Sequence, residues 1–498
     1  MRSHLLNNTT AEHYRRTVTA GVERVAATIA AADRPFSGVG VGGLSPAVDA
    51  IDLDRPLGDA SAALDELGEV YLRDAVHFHH PRYLGHLHCP AVIPAVLGEA
   101  VLSAVNSSLD TWDRSTGGTL IERRLIDWTA GRLGLGPAAD GVFTSDGTQS
   151  DLQALLLARE EAGARAGTGT GHLGRLRVLV SECGRAGVQK SVRLLGLGPD
   201  AVVPLPVDRA GRMQTVALAR ALERCADQGT VPMAVVATAG TADFGSLDPL
   251  PEIAALCEQF SVWMHVDASY GCGLLASRER RGLLEGIERA DSVTVDFHKA
   301  FFQPVSCSAV LVRDRATLRH VTYRPDHPVR TEHPARAEGP DRRRAAEERV
   351  PDQAAKSLQS TRRFDALKLW MTLRVMGADG IGALFDEVCD RAAEGWRLLD
   401  ADPRFEVAVR PQLSTLVFRY VPARVTAPAG IDRANLYARK ALFASGEAVV
   451  AGTKVGSRQY LKVTLLNPGT SVEDLAAVLD LLAGHAEKYL GDSLVRAC

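Results

Sequence analysis

The stretch DSVTVDFHKAFFQPVSCSAVLVRD, residues 291–314, places a His–Lys pair inside an apolar run that is typical of a buried strand and the turn after it. A lysine taken out of water there loses much of its hydration energy unless it is paired or neutralised. Lys299 is therefore either an edge residue whose apolar stem reaches solvent, or a desolvated lysine with a lowered pKa that forms an imine with a carbonyl compound. The rest of the chain decides between these two interpretations.

Short β-rich runs alternate with helical patterns between about residue 85 and residue 315. The strand-like runs are GVFTS, RVLVSE, MAVVATAG, SVWMHVDAS, DSVTVDF and SAVLVRD. The helical patterns that fall between several of them are DLQALLLAREEAGARA, TVALARALERCADQ and DPLPEIAALCEQF. This alternation predicts an α/β fold with a large, doubly wound and mainly parallel sheet.

Three segments flank or interrupt this region. The pattern of residues 1–84 predicts a helical arm for dimerisation. Within it we expect an amphipathic helix at 12–32 and a loop without a clear core pattern at 33–60. The large domain should span 85–365, and a smaller C-terminal α/β domain should span 366–498. A mobile loop is expected at 319–352, where eight arginines and three histidines lie among prolines. It is a solvated loop or, alternatively, a lid or partner contact over the active site.

Bulk properties narrow the class of function. The 498 residues have a formal net charge of −3, which gives no global attraction to nucleic acid or to a membrane. The N-terminus lacks a secretory pattern, and no window reaches the ~18 consecutive apolar residues of a membrane span. The eight cysteines are scattered without metal-ligand spacing. We expect a cytoplasmic protein with reduced thiols, no metal and a small-molecule substrate.

Asp267 ends the strand-like run SVWMHVDASYG and precedes Lys299 by 32 residues. The segment between them, SRERRGLLEGIERAD, has a helical pattern, so both residues should follow parallel strands and meet at the carboxyl edge of the sheet. A buried aspartate alone is more often a satisfied structural acid. Beside a buried lysine, it would instead keep the ring nitrogen of pyridoxal phosphate protonated while the lysine holds the aldehyde carbon.

Two further elements end in small polar residues at the same edge. GVFTSDGTQSDLQALLLARE predicts a strand, a turn and a helix start whose backbone N–H groups can bind a phosphate. VVATAGTADFGSLDPL places Thr241 after another strand, although such residues also simply cap turns. Four such elements in one sheet favour a cofactor site.

Several motifs resemble those of one enzyme family. HVDASYG, DSVTVDFHKAFFQP, TSDGTQSDLQALL, ATAGTADFGSLDP and STRRFDALKLW closely resemble the group II pyridoxal-phosphate decarboxylases, over about residues 80–480. RYLGHLHCP and NSSLDTWDRS look most like the branch of diaminobutyrate and siderophore-pathway lysine decarboxylases. The resemblance implies the fold of aspartate aminotransferase (fold type I), pyridoxal phosphate as cofactor, and a homodimer with composite active sites.

The resemblance also implies roles for individual residues. Lys299 matches the lysine that binds the cofactor covalently, and Asp267 matches the partner of the ring nitrogen. The other matched cofactor-site residues are His298, Ala268, Thr241, Ser145, Gly147 and Thr148. His86 and His88 are candidates for the substrate pocket or, equally, structural histidines at a turn.

Four positions depart from the family pattern. Arg185 stands where the family has a histidine that stacks on the cofactor ring. Asp146 and Asp151 replace a glycine and an asparagine in the phosphate turn, and an acid there repels a phosphate dianion by about 1 kcal/mol or more. His327 falls where this branch has a tyrosine that reprotonates the substrate carbon, and histidine can also donate a proton near neutral pH.

These features together predict decarboxylation of a basic or diamino acid (lysine, ornithine or 2,4-diaminobutyrate) to an amine and carbon dioxide. Two alternatives remain at this stage. The departures could divert the carbanion to an oxidative outcome that yields an aldehyde, or they could mark a non-catalytic subunit that keeps the fold.

Overall fold

The computed structural model describes residues 2–166, 170–322, 352–423 and 427–495, with only the backbone described at 166, 170–172, 185, 186 and 493–495. The chain forms two compact units. Unit 1 consists of Met1–Pro90, Asp243–Gly245 and Asp386–Cys498, and unit 2 consists of Ala91–Ala242 and Ser246–Phe385. The domain boundaries expected at 84 and 365 stay predictions.

The helices in the described ranges are α1 (Ala11–Ala31), α2 (Val41–Asp49), α3 (Ala60–Leu67), α4 (Ile93–Val105), α5 (Thr116–Leu133), α6 (Gly147–Ala166), α7 (Arg185–Leu194), α8 (Thr215–Asp227), α9 (Leu250–Phe260), α10 (Phe297–Ala300), α11 (Ala366–Ala401), α12 (Pro428–Ser445) and α13 (Val472–Val495). Helix α11 has a non-helical residue at Gly377, with φ of 70°. None of the described helices is long and apolar enough to cross a membrane.

A seven-stranded sheet forms the centre of unit 2. Its strands are β1 (Asp140–Thr144), β2 (Leu176–Ser181), β3 (Val202–Leu205), β4 (Val231–Thr238), β5 (Trp263–Asp267), β6 (Ser292–Asp296) and β7 (Ser308–Val312), in the order β1-β7-β6-β5-β4-β2-β3. Strands β3, β2, β4, β5 and β6 pair in parallel, and β7 pairs antiparallel with β6 and β1. The predicted α/β fold with a mainly parallel sheet is confirmed.

Strands β5 and β6 carry the predicted site, and they lie side by side. Their parallel register pairs Asp267 with Thr294. The helix expected between them, at 277–291, is wrong, because the chain makes only short 3-10 turns at Arg281–Leu284 and Ile287–Arg289. Gly286 between these turns has φ of 91°, and a Cβ there would lie 2.6 Å from the backbone nitrogen of Pro251. This left-handed, tightly packed residue interrupts a continuous helix.

Unit 1 contains a four-stranded antiparallel sheet. Its strands are β8 (Phe405–Val407), β9 (Thr415–Tyr420), β10 (Ala451–Val455) and β11 (Arg458–Thr464), in the order β10-β11-β9-β8. Helices α12 and α13 contribute to the same hydrophobic core as β9 and β11. The predicted amphipathic helix at 12–32 is confirmed as α1. The loop expected at 33–60 instead includes α2, which buries no residue and so leaves no core pattern in the sequence.

Candidate active site

The side chain of Lys299 is held by a buried carboxylate. Lys299 lies on the short helix α10 immediately after β6, and its Nζ is 2.7 Å from Oδ2 of Asp296, which is only 2% exposed. Burial by itself lowers the pKa of Lys299, but the charges of Asp296 and Asp267 outweigh burial, so the pKa is raised. The lowered pKa that the apolar sequence predicts is therefore wrong, because two carboxylates accompany the lysine.

Asp296 is a site residue that the sequence reasoning missed. Its Oδ1 atom is buried and has no hydrogen-bond partner among the described residues, although Oδ2 binds Lys299. A buried acceptor without a partner is costly, which marks a place where another group completes the site. The signal in the sequence was an aspartate three positions before the lysine, at the end of an otherwise apolar strand.

Asp267 ends β5 on the neighbouring strand. Its Oδ1 accepts a hydrogen bond of 3.0 Å from the backbone N–H of Ser269, and the next residue, Ala268, is fully buried. The N–H of Ala268 donates to the backbone oxygen of Thr294 on β6, which ties the two strand ends together. Asp267, Ala268 and Lys299 are therefore brought to the same edge of the sheet, where the charge of Asp267 contributes to the raised pKa of Lys299.

The turn between β1 and α6 opens toward these carboxylates. A Cβ on Gly147 would lie 2.7 Å from Oγ of Ser269 and 2.9 Å from Oδ2 of Asp296, so only glycine leaves this space free. Gly147 and Thr148 begin α6, and the first N–H groups of a helix have no carbonyl partner within it. Such groups bind anions.

Ser145 and Gln149 shape the same turn. Oε1 of Gln149 accepts hydrogen bonds from the backbone N–H and the hydroxyl of Ser145, at 2.9 and 2.7 Å. Nε2 of Gln149 is buried and has no partner among the described residues. A free donor at a helix N-terminus suits an anionic ligand.

The two aspartates that depart from the family pattern occupy different environments. Asp146 is exposed, and its Oδ1 accepts the backbone N–H of Gln149 at 2.8 Å, so it caps the start of α6. Asp151 is buried in the interior, where its Oδ1 accepts a hydrogen bond of 2.8 Å from the hydroxyl of Thr294. Asp146 therefore belongs to the turn, whereas Asp151 lies beneath it.

His298 precedes Lys299, and its ring is fixed by its surroundings. Nδ1 lies 3.2 Å from the backbone oxygen of Cys307, and Nε2 lies 3.9 Å from Oδ2 of Asp296. Burial is the main cause of the lowered pKa of His298; Asp296 opposes this effect and Lys299 reinforces it. The imidazole is thus neutral at neutral pH.

The remaining predicted site residues lie on other segments of the chain than β5, β6 and the turn before α6. Thr241 is buried in the loop after β4, where its Oγ1 accepts the N–H of Ser246 at 3.1 Å. His86 and His88 belong to unit 1, and their role at the substrate stays a prediction. His327 lies outside the described residues, as does the side chain of Arg185, whose backbone begins α7.

The chemistry of this site fits pyridoxal phosphate. Lys299 would supply a primary amine for the aldehyde carbon, and Asp267 would supply an anion for the ring nitrogen. The start of α6 and the unpaired Nε2 of Gln149 supply donors for the phosphate. The fit rests on a single edge of the sheet in unit 2 and requires no rearrangement of the strands.

Comparisons with known proteins agree with this chemistry. A family profile described as the pyridoxal-dependent decarboxylase conserved domain matches residues 60–421. The chain is 39% identical over 479 residues to an L-2,4-diaminobutyrate decarboxylase of Rhizobium meliloti, a match that covers 95% of this chain and 92% of that protein. It is 36% identical over 440 residues to an L-2,4-diaminobutyrate decarboxylase of Acinetobacter baumannii, covering 86% of this chain and 84% of that one.

A solved structure shows the same architecture. The glutamate decarboxylase domain of a diaminobutyrate-pyruvate transaminase and L-2,4-diaminobutyrate decarboxylase from Vibrio parahaemolyticus superposes with a TM-score of 0.85. It is 29% identical in sequence, and the match covers 98% of each chain. From the matched profile and the identity to these relatives, it follows that the chain belongs to the family of pyridoxal-dependent decarboxylases.

Proposed function

We propose that this protein decarboxylates a diamino acid, with L-2,4-diaminobutyrate as the first candidate, to the corresponding diamine and carbon dioxide. The bond between the α-carbon and the carboxylate breaks, carbon dioxide leaves, and a proton takes its place on the α-carbon. When bound, pyridoxal phosphate supplies the electron sink for the electron pair that carbon dioxide leaves behind. The substrate class rests on the activity named for two relatives.

The observation that carries the proposal is the ion pair of Lys299 with buried Asp296, beside the strand that ends in Asp267. Nζ of Lys299 is bound to Asp296, and Asp267 ends the adjacent strand. An ammonium cannot attack a carbonyl carbon, so Lys299 must lose a proton before it binds the cofactor. Oδ2 of Asp296, at 2.7 Å, is placed to accept that proton.

The other residues hold or orient the cofactor in this account. The carboxylate of Asp267 would keep a proton on the ring nitrogen, and the small side chain of Ala268 would leave room for the ring. The N-terminus of α6, with Ser145, Gly147 and Thr148, binds the phosphate. His298 is fixed beside Asp296 as a neutral imidazole. Thr241 is assigned to the cofactor from the loop after β4.

Two roles in this account depend on side chains outside the described residues. We assign His327 as the acid that returns a proton to the α-carbon, since it falls where the resembling branch has a tyrosine. Arg185 is assigned to the face of the ring, where its planar guanidinium can stack. Both assignments rest on the sequence motifs alone.

His86 is proposed to contact the substrate. Burial and the charges of Lys462 and Arg439 lower the pKa of His86, so its imidazole is neutral and can accept a hydrogen bond from a substrate ammonium. Lys462 is itself paired with Asp243 at 3.2 Å. The ring of His88 stacks on Phe78 with centroids 4.7 Å apart, which fixes its orientation.

The protein is further proposed to act as a homodimer in the cytoplasm, with its domains divided near 84 and 365. Helix α4 packs Ala95, Gly98 and Leu102 inward, while large apolar side chains cover its opposite face. Those exposed side chains are Ile93, Val96, Leu97, Val101 and Val105. An exposed apolar face of this kind is normally covered, and a second copy of the chain would cover it.

Product analysis tests the proposed reaction. The purified protein, loaded with pyridoxal phosphate, should release carbon dioxide and an equal amount of diamine from L-2,4-diaminobutyrate, faster than from lysine, ornithine or glutamate. Aldehyde, ammonia and peroxide assays on the same samples measure an oxidative outcome. Release of aldehyde in place of amine, or no turnover of any basic amino acid, would contradict the proposal.

A further inference from the structure

A buried hydrogen-bonded network lies between α6 and the sheet, and the reaction described above does not use it. Oδ1 of Asp151 on α6 accepts a hydrogen bond from Oγ1 of Thr294 at 2.8 Å and lies 3.2 Å from Nε2 of His265. Asp151 is 8% exposed and His265 is completely buried. Buried ionisable groups that are paired in this way are uncommon unless they are satisfied or functional.

The network lies beside Asp267. His265 precedes Asp267 by two positions on β5, so the two side chains point to the same face of the sheet. Thr294 is the residue directly opposite Asp267 on β6, so its side chain also points to that face. Asp151 contacts both His265 and Thr294, which lie near Asp267 on β5 and β6. It is therefore a second carboxylate close to Asp267.

Hydrogen-bond donors and acceptors in the network fix where its protons lie. Nε1 of Trp263 can only donate, so Oγ of Ser292 accepts its hydrogen bond of 2.8 Å. The hydroxyl of Ser292 can then donate to Nδ1 of His265 at 2.9 Å, which leaves Nε2–H of His265 to donate to Asp151. Each of these donors has an acceptor when Asp151 is an anion.

The electrostatics of Asp151 agree with a coupling to Asp267. Burial and then the charge of Asp267 raise the pKa of Asp151 to about 6, while the hydrogen bonds from His265 and Thr294 oppose this rise. The two donors that face Asp151 favour its ionised form. The family motif that the turn resembles has an asparagine at this position, so Asp151 adds a negative charge that asparagine would lack.

We propose that Asp151, held by His265 and Thr294, is a positioning residue that keeps the surroundings of Asp267 negative and so holds a proton on the ring nitrogen of the cofactor. The proposal rests on the proposed function, in which the ring nitrogen lies against Asp267. A negative charge close to a protonated ring favours that form over a neutral ring. Asp151 contacts neither substrate nor cofactor in this account and acts through Asp267.

A comparison of two cofactors isolates this effect from a general loss of structure. The first is pyridoxal phosphate, and the second is its analogue in which a C–H group replaces the ring nitrogen. Binding of each to the full-length protein freed of cofactor is measured by titration at neutral pH. Asp151→Asn keeps the shape of the side chain and removes its charge. It should weaken the binding of pyridoxal phosphate roughly tenfold and leave the binding of the analogue no weaker.

Three further variants make the result specific. His265→Gln retains an amide N–H near the position of Nε2, so it should keep the wild-type ratio of the two affinities. Thr294→Val keeps Asp151 but removes one of its hydrogen-bond donors. It should therefore weaken the binding of pyridoxal phosphate less than Asp151→Asn does, and leave the binding of the analogue no weaker. This variant tests the proposal if Asp151→Asn does not fold. Asp248→Asn is the matched control, because Asp248 is also buried in unit 2 with a pKa raised to about 6, and Asp208 and Arg212 are its charged neighbours.

The outcomes separate this inference from the proposed function. An equal loss of affinity for both cofactors in Asp151→Asn, or no loss for either, would overturn the role of Asp151. The affinities are measured without substrate. If the wild-type protein binds pyridoxal phosphate and Asp151→Asn shows the selective loss, but the wild type releases no carbon dioxide, the proposed function would be contradicted while the role of Asp151 stays intact.

Discussion

Oδ2 of Asp296 and Nζ of Lys299 lie 2.7 Å apart, across the end of β6 and the first turn of α10. The pair explains how an ammonium is tolerated in an apolar strand end, since burial of an unpaired charge would be costly. It also means that the lysine is stored in its protonated form until a cofactor arrives. The acid beside it is therefore part of the chemistry of the site.

Asp296→Asn should shift the pH dependence of cofactor uptake. The carboxylate of Asp296 raises the pKa of Lys299 against the effect of burial, so its removal should lower that pKa. The rate of uptake, which requires the neutral amine, should then reach half its maximum at a lower pH in the variant than in the wild type. Stopped-flow absorbance at a series of pH values measures this shift, and superimposable profiles for the two proteins would argue against the assigned role.

Asp267→Ala should separate cofactor binding from turnover. The variant keeps Lys299 and the phosphate-binding turn, so it should still bind pyridoxal phosphate covalently. Its turnover should fall by orders of magnitude, because a ring without a held proton is a poorer electron sink. Steady-state release of carbon dioxide gives the rate, and a near-normal value would rule out Asp267 as the partner of the ring nitrogen.

Asp146→Asn should tighten the binding of pyridoxal phosphate by a few fold at low ionic strength. Asparagine can still cap α6 through the N–H of Gln149, so the change removes the charge and preserves the turn. Because Asp146 is exposed, salt should reduce the difference between variant and wild type. Titrations at low and high salt measure this, and weaker binding in the variant would show that the acid supports the site.

Leu97→Glu combined with Val101→Glu should convert the proposed dimer to a monomer. Both side chains are exposed on the outer face of α4, and two buried charges would destabilise an interface there. Light scattering coupled to size-exclusion chromatography measures the mass. Val216→Glu is the control, since Val216 is exposed on α8 of the same unit, and that variant should keep the wild-type mass. An unchanged mass in the double variant would place any interface elsewhere.

Much of the seven-stranded sheet was predictable from the sequence, because its strands are short apolar runs between turn residues. Strand β3 was missed since Leu205 is its one fully buried residue, which gives no clear apolar pattern. The false helix at 277–291 had a suitable pattern of leucines, but Gly286 packs against Pro251 in a left-handed conformation that only the three-dimensional contacts reveal. Local pattern therefore identified the buried strands better than the connections.

The site was predictable where its residues end strands or begin a helix, as with Asp267, Lys299 and Gly147. The pairing of Asp296 with Lys299 was not, because the direction of a side chain at a strand end depends on how the following turn folds. The contact between Asp151 and His265 joins residues 114 positions apart, and no local pattern reports it. The sequence thus showed Asp151 as a departure from a motif without showing its partner.

Mass spectrometry of the borohydride-reduced protein tests the central claim most directly. Reduction makes the bond between lysine and cofactor permanent, so digestion of the wild-type protein should yield a peptide that carries the mass of reduced pyridoxal phosphate on Lys299. The visible absorbance of the bound cofactor should disappear at the same time. Lys299→Ala, with the same fold, should show neither the absorbance nor the modified peptide. Cofactor found on another lysine, or none found on the wild-type protein, would contradict the account.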